Sequence, residues 1–377
     1  MPRRVLIIPD KFKGTLDARR VGAAIRRGWL KERPADQVTV IPMSDGGDGF
    51  GAVLSSLMRA RRKSVATMDA AHQPCLSDWW WEPRSRTAIL ECAKTVGLAM
   101  LPPSARRPLK LDTEGLGVVI RSAAGQGAQT CVIGLGGSAT NDGGFGVARA
   151  LGWTFLDSRN RQIRSWSHLH RLARIIPPET PLPLKRIIIA TDVQNKLLGH
   201  EGATRVFGPQ KGLGIADIPT AERNLAQLAK ITRKTLGKSF ETKGGAGAAG
   251  GLGFGLMAFA GAKVKSGFEV FSEYAALEQR LAQTDLVITG EGRLDWSTMM
   301  GKGVGELAKM CKAHRVPCLA LAGCLEESPG PTPFELIRAL TEFTSPQRAQ
   351  AMPSIWLARA AAEMARTWLG GPVGSMR

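Results

Sequence analysis

Acidic residues stand just beyond short apolar runs at five places in this chain. VLIIP is followed by Asp10, with Lys11 and Lys13 close behind, and VTVIPM is followed by Ser44, Asp45, Gly46, Gly47 and Asp48. CVIGL leads into GGSATNDGG, which holds Gly136, Gly137, Ser138, Asn141 and Asp142. IIIA leads to Thr191 and Asp192, and LVIT leads to Glu291, Arg293 and Asp295. Apolar runs of this length read as buried strands, so each acid is expected at a strand's C-terminal end, where open parallel sheets bind ligands. Carboxylates gathered on one edge can hold a divalent cation, and glycine-flanked backbone can offer N–H groups to an anion. One Asp-Gly-Gly alone is an ordinary tight turn. Five acids on one edge point to a site for phosphate chemistry.

Two phosphate-binding patterns can be tested on the residues. A P-loop needs GxxxxGK[ST]. The GKS at Gly237–Ser239 has Thr232 where the first glycine belongs, and Gly301–Lys302 is followed by Gly303, so that pattern is excluded. A dinucleotide fingerprint is a closer contest. GLGGSA (134–139) fits GxGxxA, and the FLD ending at Asp157 is nearly where an acid would hold a ribose hydroxyl. However, NDGG intrudes where a helix should begin and leaves 145–151 short for a crossover. An NAD-dependent dehydrogenase is therefore the lesser alternative.

The elements that must position these residues alternate along the chain. Strands are expected at 4–9, 38–43, 87–92, 129–135, 186–191, 285–290 and 317–323. Amphipathic helices are expected at 18–30 (after an Asp17 cap), 115–124, 217–236, 274–282, 304–314 and 355–369. Strands that are apolar throughout are covered on both faces, which gives an α/β fold with a parallel sheet. The first and last strands read as one doubly wound, Rossmann- or flavodoxin-like sheet formed by 1–80 with 285–377. An α/β domain at 81–284, carrying the glycine-rich loops, reads as inserted into it, with 77–86 and 177–183 as connections.

Composition narrows the class. At 377 residues and 44% hydrophobic, the chain can build two packed domains. The apolar run near the N-terminus is too short for a signal peptide, and the uncharged stretch 244–262 is mostly Gly and Ala, so it reads as a loop entering a packed helix rather than a membrane span. The six cysteines form no CxxC and the five histidines show no zinc spacing, which fits reduced thiols in a cytoplasmic enzyme. The net charge of +19 comes from dispersed clusters, among them RARRK at 59–63, without interleaved aromatics. It reads as a solvated basic surface that attracts anionic metabolites rather than as a specific nucleic-acid or membrane interface. A homodimer is left open.

PDKFKGTL (9–16), PMSDGGDG (42–49), GLGGSATNDGG (134–144), ATDVQN (190–195), FGPQKG (207–212), GAGAAGGLGFGL (245–256) and ITGEGRLD (288–295) with Gly301–Lys302 resemble, in order, the type I glycerate kinase family. The resemblance implies two α/β domains and ATP-dependent phosphorylation of D-glycerate, mostly at the 2-hydroxyl in bacterial members. It also implies that GLGGSATNDGG faces substrate and phosphate rather than NAD. Phosphoryl transfer requires Mg²⁺ on the phosphates, donors or cations on the equatorial oxygens, and a group that orients or deprotonates the hydroxyl. Asp192 and Glu291 suit the metal, and Asp45 and Asp192 suit the base, with Asp45 ahead. Lys13, Arg293 and Lys302 suit the phosphates or the substrate carboxylate, Lys13 as a catalytic cation. Asp10, Gly46, Gly47, Gly136, Gly137, Ser138, Asn141 and Asp142 complete the expected substrate- and phosphate-binding set. The chain departs from the family pattern at Lys11, at Phe50, at DVQNKL (192–197), at Trp296, and in LDTEGLGVVI (111–120), where a threonine-and-tyrosine cluster is lost and Glu114 appears. These departures leave open two alternatives to D-glycerate phosphorylation: a kinase fold with an altered sugar-acid substrate, or a non-catalytic binding role.

Overall fold

The structure is a computed structural model that describes residues 2–47, 49–295, 298, 303–326 and 332–368. Its strands are β1 (Arg4–Pro9), β2 (Gln37–Val40), β3 (Arg61–Met68), β4 (Pro74–Glu82), β5 (Thr87–Glu91), β6 (Thr130–Gly134) and β7 (Thr154–Asp157). They continue with β8 (Leu172–Ile176), β9 (Arg186–Ala190), β10 (Lys263–Lys265), β11 (Leu286–Leu294), β12 (Cys318–Leu325) and β13 (Leu336–Ala339). The chain packs as two units, Met1–Asp45 with Gly267–Arg377, and Gly46–Ser266.

The first unit is built on a parallel sheet in the order β13-β12-β11-β1-β2. Counted within the unit this is 2-1-3-4-5, the flavodoxin-like order of a doubly wound sheet. β1 alternates its side chains between two covered faces. Val5 and Ile7 join one core with Val21, Ile25 and Trp29 of the helix Ala18–Glu32 and Leu357 and Met364 of the helix Pro353–Thr367. Leu6 and Ile8 are equally buried outside that core. Burial on both sides is why the run is apolar without alternation. Asp17 caps the helix Ala18–Glu32 as expected, its carboxylate accepting from the Arg20 N–H at 2.8 Å.

The second unit carries a six-stranded sheet, β10-β9-β6-β5-β4-β3. β10, β9, β6 and β5 run parallel, whereas β4 and β3 are antiparallel. Leu90, Ile133 and Ile189 of the sheet share one core with Leu116 and Ile120, Phe145, Leu225 and Leu228, and Phe254 and Phe259. A separate hairpin, β7–β8, joins the same core through Phe155 and Ile175.

The structure corrects the expected organisation in three places. The units divide after Asp45 and after Ser266, not near 80 and 284. The reason is the hairpin β3–β4, which pairs onto β5 and carries residues 61–82 into the second unit. Tryptophan-rich 77–86, expected to be a connection, largely belongs to β4, where Trp79 is buried. The basic cluster at 59–63 runs into β3, an edge strand on which charge discourages further strand pairing. The helix expected at 274–282 is instead two short ones, Gly267–Tyr274 and Leu277–Leu281.

Glycine-rich 244–262 turns through left-handed Ala249, Gly250 and Gly251 into the helix that ends at Ala260, as a loop entering a helix. Among the described residues no helix is long and apolar enough to cross a membrane. Gly250 has φ +69°, and a Cβ there would lie 1.9 Å from the Thr140 carbonyl oxygen. Gly237 has a similar φ of +65° but open space around it. Gly250→Ala is therefore expected to lower stability by about 3 kcal/mol or more, and Gly237→Ala by only about 1 kcal/mol, the left-handed cost alone. Urea unfolding of the two variants checks this; equal losses would show that the close approach at Gly250 costs nothing.

Candidate functional site

In the first unit, β1 and β11 are adjacent in the sheet though 281 residues separate paired positions such as Val5 and Leu286. This junction is the switch point of a 2-1-3-4-5 sheet, where such folds bind ligands. The Asp10 N–H donates to the Gly290 carbonyl at 2.9 Å, which continues the pairing of β1 with β11 and sets Asp10 beside the Glu291 position. Asp45 follows β2, and Lys11 Nζ lies 3.4 Å from its Oδ1. Glu291 is buried and its Oε1 accepts from Thr298 Oγ1 at 2.7 Å. Burial pushes the Asp10 carboxyl up to about 7, helped by the charges of Asp45 and Glu291 and opposed by the Lys11 N–H and ammonium. Three carboxylates thus meet at one strand junction. Glu291 lies within β11, not past it, because the strand continues its pairing with β12 as far as Leu294.

In the second unit, the loop after β6 is held from three sides. Its Gly136 N–H donates to the Gly46 carbonyl at 3.2 Å, and a Cβ on Gly136 would come within 2.5 Å of the Gly47 Cα. The Ala139 N–H donates to the Val96 carbonyl at 2.8 Å, and the Gly143 N–H to the Gly250 carbonyl at 3.1 Å. Much of the bare backbone therefore lies against other backbone. Gly137 is exposed, and the N–H groups of Gly137 and Ser138 have no acceptor among the described residues. The Ser138 hydroxyl accepts from Lys211 Nζ at 2.9 Å, and the same ammonium donates to the Thr140 carbonyl at 2.7 Å. Burial draws the Lys211 pKa down to about 8, while Cys92 and Asp142 pull it upward. Asp192 is half-buried two residues past the end of β9.

Two expected binding residues are enclosed by the protein. Asp142 has no exposure, and its carboxylate accepts from the Thr113 N–H (3.0 Å) and Oγ1 (2.7 Å), the Gly144 N–H (3.2 Å) and the Gly146 N–H (2.9 Å). All the donors to it are the protein's own, so it acts as a structural acceptor within its loop. Burial pushes its pKa up to about 6, with Asp112 adding to the rise and the hydrogen bonds opposing it. Asn141 is also fully buried, donating from Nδ2 to Thr204 Oγ1 at 3.0 Å. Lys13 is exposed, and Arg293 is an exposed partner of Glu326 at 2.8 Å. Gly46 and Gly47 lie against the loop after β6, within the second unit. Lys302, Asp48 and Trp296 lie outside the described residues.

Sequence reasoning missed two groups whose signals were present. Lys211 sits just before Gly212 in FGPQKG and anchors the glycine loop. Glu91 ends the apolar run TAILE as the five chosen acids end theirs, and its Oε1 accepts from the Gly51 N–H at 2.8 Å. Thr113 carried no comparable signal.

The dinucleotide alternative is overturned by topology. The segment after GLGGSA forms only the helix Phe145–Ala150, and the following β7 pairs antiparallel with β8 outside the main sheet. The strand that carries Asp157 is therefore not a parallel neighbour of β6, and cannot set that acid at a ribose as a dinucleotide fold does. Asp157 is instead held by Arg161, through its N–H at 2.9 Å and its Nε at 2.9 Å.

Comparison with known proteins bears on both units together. Residues 5–369 match the sequence profile of the Glycerate kinase family. The chain is 36% identical to the glycerate kinase of Bacillus subtilis (strain 168) over 325 residues, 85% of each chain. It is 37% identical to the glycerate 2-kinase of Escherichia coli (strain K12) over 331 residues, 87% of each. A crystal structure of a candidate glycerate kinase 2 from Salmonella typhimurium LT2 superposes with a TM-score of 0.84 at 32% identity, covering 97% of this chain and 98% of that one.

The elevated Asp10 pKa has a consequence for stability. The folded state keeps this proton up to about pH 7, whereas the unfolded chain releases it near the ordinary aspartate value of about 4. Stability is therefore lost as pH rises between those values. Asp10→Asn removes the loss, so the variant's stability advantage over the parent is expected to grow between pH 4.5 and 7.5, by up to about 4 kcal/mol. Urea midpoints without added divalent ions test this, and an advantage independent of pH would contradict the crowding of Asp10 by its neighbours.

Proposed function

The chain belongs to the glycerate kinase family and is a phosphotransferase, and from that premise we propose that it moves the γ-phosphoryl group of Mg·ATP to the 2-hydroxyl of D-glycerate. The observation that carries the proposal is the switch-point cluster of Asp10, Asp45 and Glu291, which gathers negative charge in a chain of net charge +19. These oxygen-only donors fit Mg²⁺, which takes one or two carboxylates together with substrate phosphate oxygens. Asp10 and Glu291 would hold the ion, and its chemistry is to neutralise charge on the phosphates. The proposed 2-position draws on the name of the Escherichia coli relative.

The chain's own groups then divide the work. Asp45, partly exposed and with its Oδ1 3.4 Å from Lys11 Nζ, is positioned to take the hydroxyl proton. Lys13 and Arg293 are exposed cations for phosphate or the substrate carboxylate. In the second unit the N–H groups of Gly137 and Ser138 are donors for an anion, in a loop held rigid by Lys211. Asp192, past β9, is the second acid assigned to proton or metal. Two of the departures from the family pattern add no bulk to an exposed surface. Phe50 is fully buried under β6, and Glu114 is paired with Arg149 at 3.1 Å. That favours D-glycerate over a larger sugar acid. Cytoplasmic residence belongs to the same proposal.

Product analysis by ³¹P NMR after incubation with Mg·ATP and D- or L-glycerate is expected to show 2-phosphoglycerate from the D-isomer only. 3-Phosphoglycerate as the product would overturn the assigned hydroxyl. Asp192→Asn is expected to cut turnover at least about a hundredfold, and near-normal turnover would remove Asp192 from the site. If Asp10, which keeps its proton up to about pH 7, holds the ion, the Mg²⁺ concentration for half-activation should fall about tenfold per unit below pH 6 and level off above pH 7. Asp10→Asn should abolish that slope; a slope unchanged in the variant would place the titrating group elsewhere.

A further inference from the structure

His72, Asp112 and Glu114 turn one ligating atom each into a space where all three lie within 4.8 Å of one another, the one such trio found among the described residues. We propose that this trio, in the second unit and apart from the phosphoryl-transfer residues, is a binding site for a divalent transition-metal ion of the zinc type. One imidazole nitrogen with two carboxylate oxygens is a donor set that zinc accepts, with water as the fourth ligand, and that Mg²⁺ does not favour.

The spacing fits an ion. His72 Nε2 lies 3.1 Å from Asp112 Oδ2, close to the separation of about 3.4 Å between two ligands each about 2.1 Å from a tetrahedral centre. Charge fits as well. Arg149 takes one Glu114 oxygen, Oε2, at 3.1 Å, so two carboxylates face one guanidinium and leave a surplus negative charge beside the imidazole. Glu114 Oε1 has no hydrogen bond among the described residues. His72 is part-exposed, which gives the ion a path in, whereas Asp112 is 5% exposed.

The backbone holds the ligands before any ion arrives. Asp69 Oδ1 accepts from the N–H groups of Ala71 (2.8 Å) and Gln73 (2.9 Å), shaping the β3–β4 turn that carries His72. Asp112 is tied to that turn by its N–H to the Ala70 carbonyl at 3.1 Å, and its Oδ1 accepts from the Glu114 N–H at 2.9 Å. Asp112 and Glu114 lie in LDTEGLGVVI, the stretch where the chain departs from the family pattern. An ion here would tie the edge hairpin to the helix Glu114–Gly125 and to Thr113, which holds Asp142.

The test uses the full chain, stripped with EDTA and titrated with Zn²⁺ by calorimetry and with Co²⁺ by visible absorption. One equivalent is expected to bind, with a cobalt spectrum free of thiolate charge transfer. His72→Gln and Glu114→Gln are each expected to weaken binding about ten- to a hundredfold, with circular dichroism confirming that both fold. No saturable binding in the parent, parent-like affinity in both variants, or a thiolate–cobalt band, which would place the metal at part-exposed Cys75 or Cys324, would each overturn the proposal.

Discussion

A carboxylate sealed from water organises the second unit. Asp142 has no exposure, yet four donors from Thr113, Gly144 and Gly146 converge on it. A buried charge is tolerable only when its oxygens are satisfied, so those segments are bound to one arrangement. Thr113 passes the constraint on, because its hydroxyl also accepts from the Val147 N–H at 2.9 Å, inside the helix Phe145–Ala150. The glycine loop after β6 cannot shift without leaving this acid unpaired.

Backbone-on-backbone packing completes the restraint. Gly136 rests on Gly47, Gly250 on the Thr140 carbonyl, and Gly144 on the Gly255 Cα, which a Cβ on Gly144 would approach to 2.7 Å. Side chains would hold these segments apart. Lys211 then pins Ser138 and Thr140 from below, and what reaches solvent is the short stretch around Gly137. Rigidity around a small exposed set of N–H groups is the arrangement that electrostatic stabilisation of a transferring phosphoryl group requires. The first unit works differently. There the crossing order of β1 and β11 brings Asp10 and Glu291 side by side, and burial with the neighbouring charges raises the Asp10 pKa.

Much of this was legible in the order of residues. The apolar runs at 4–9, 130–134, 186–190 and 318–325 became parallel strands, because a strand covered on both faces has no polar face to show. The family resemblance rested on long glycine- and acid-bearing stretches and is supported by relatives about 36% identical over 85% of the chain. The hairpin β3–β4 was not legible. Its tryptophans and arginines read as a linker, because an edge hairpin is set by pairing with β5, a partner that local sequence does not name.

What the sequence determined alone was therefore the α/β class, the family and the acids that close each apolar run, since these follow from local periodicity and from residue types in fixed order. Which acids stay near solvent was decided by the tertiary structure. Asp10 and Asp142 follow strands in the same way, yet one remains at a sheet edge and the other is enclosed by Thr113 and the backbone of its own loop. Burial depends on segments distant in the chain, Asp142 meeting Thr113 across 29 residues and Lys211 meeting Ser138 across 73. Local patterns carry no record of such pairings; they exist only once the sheets have closed.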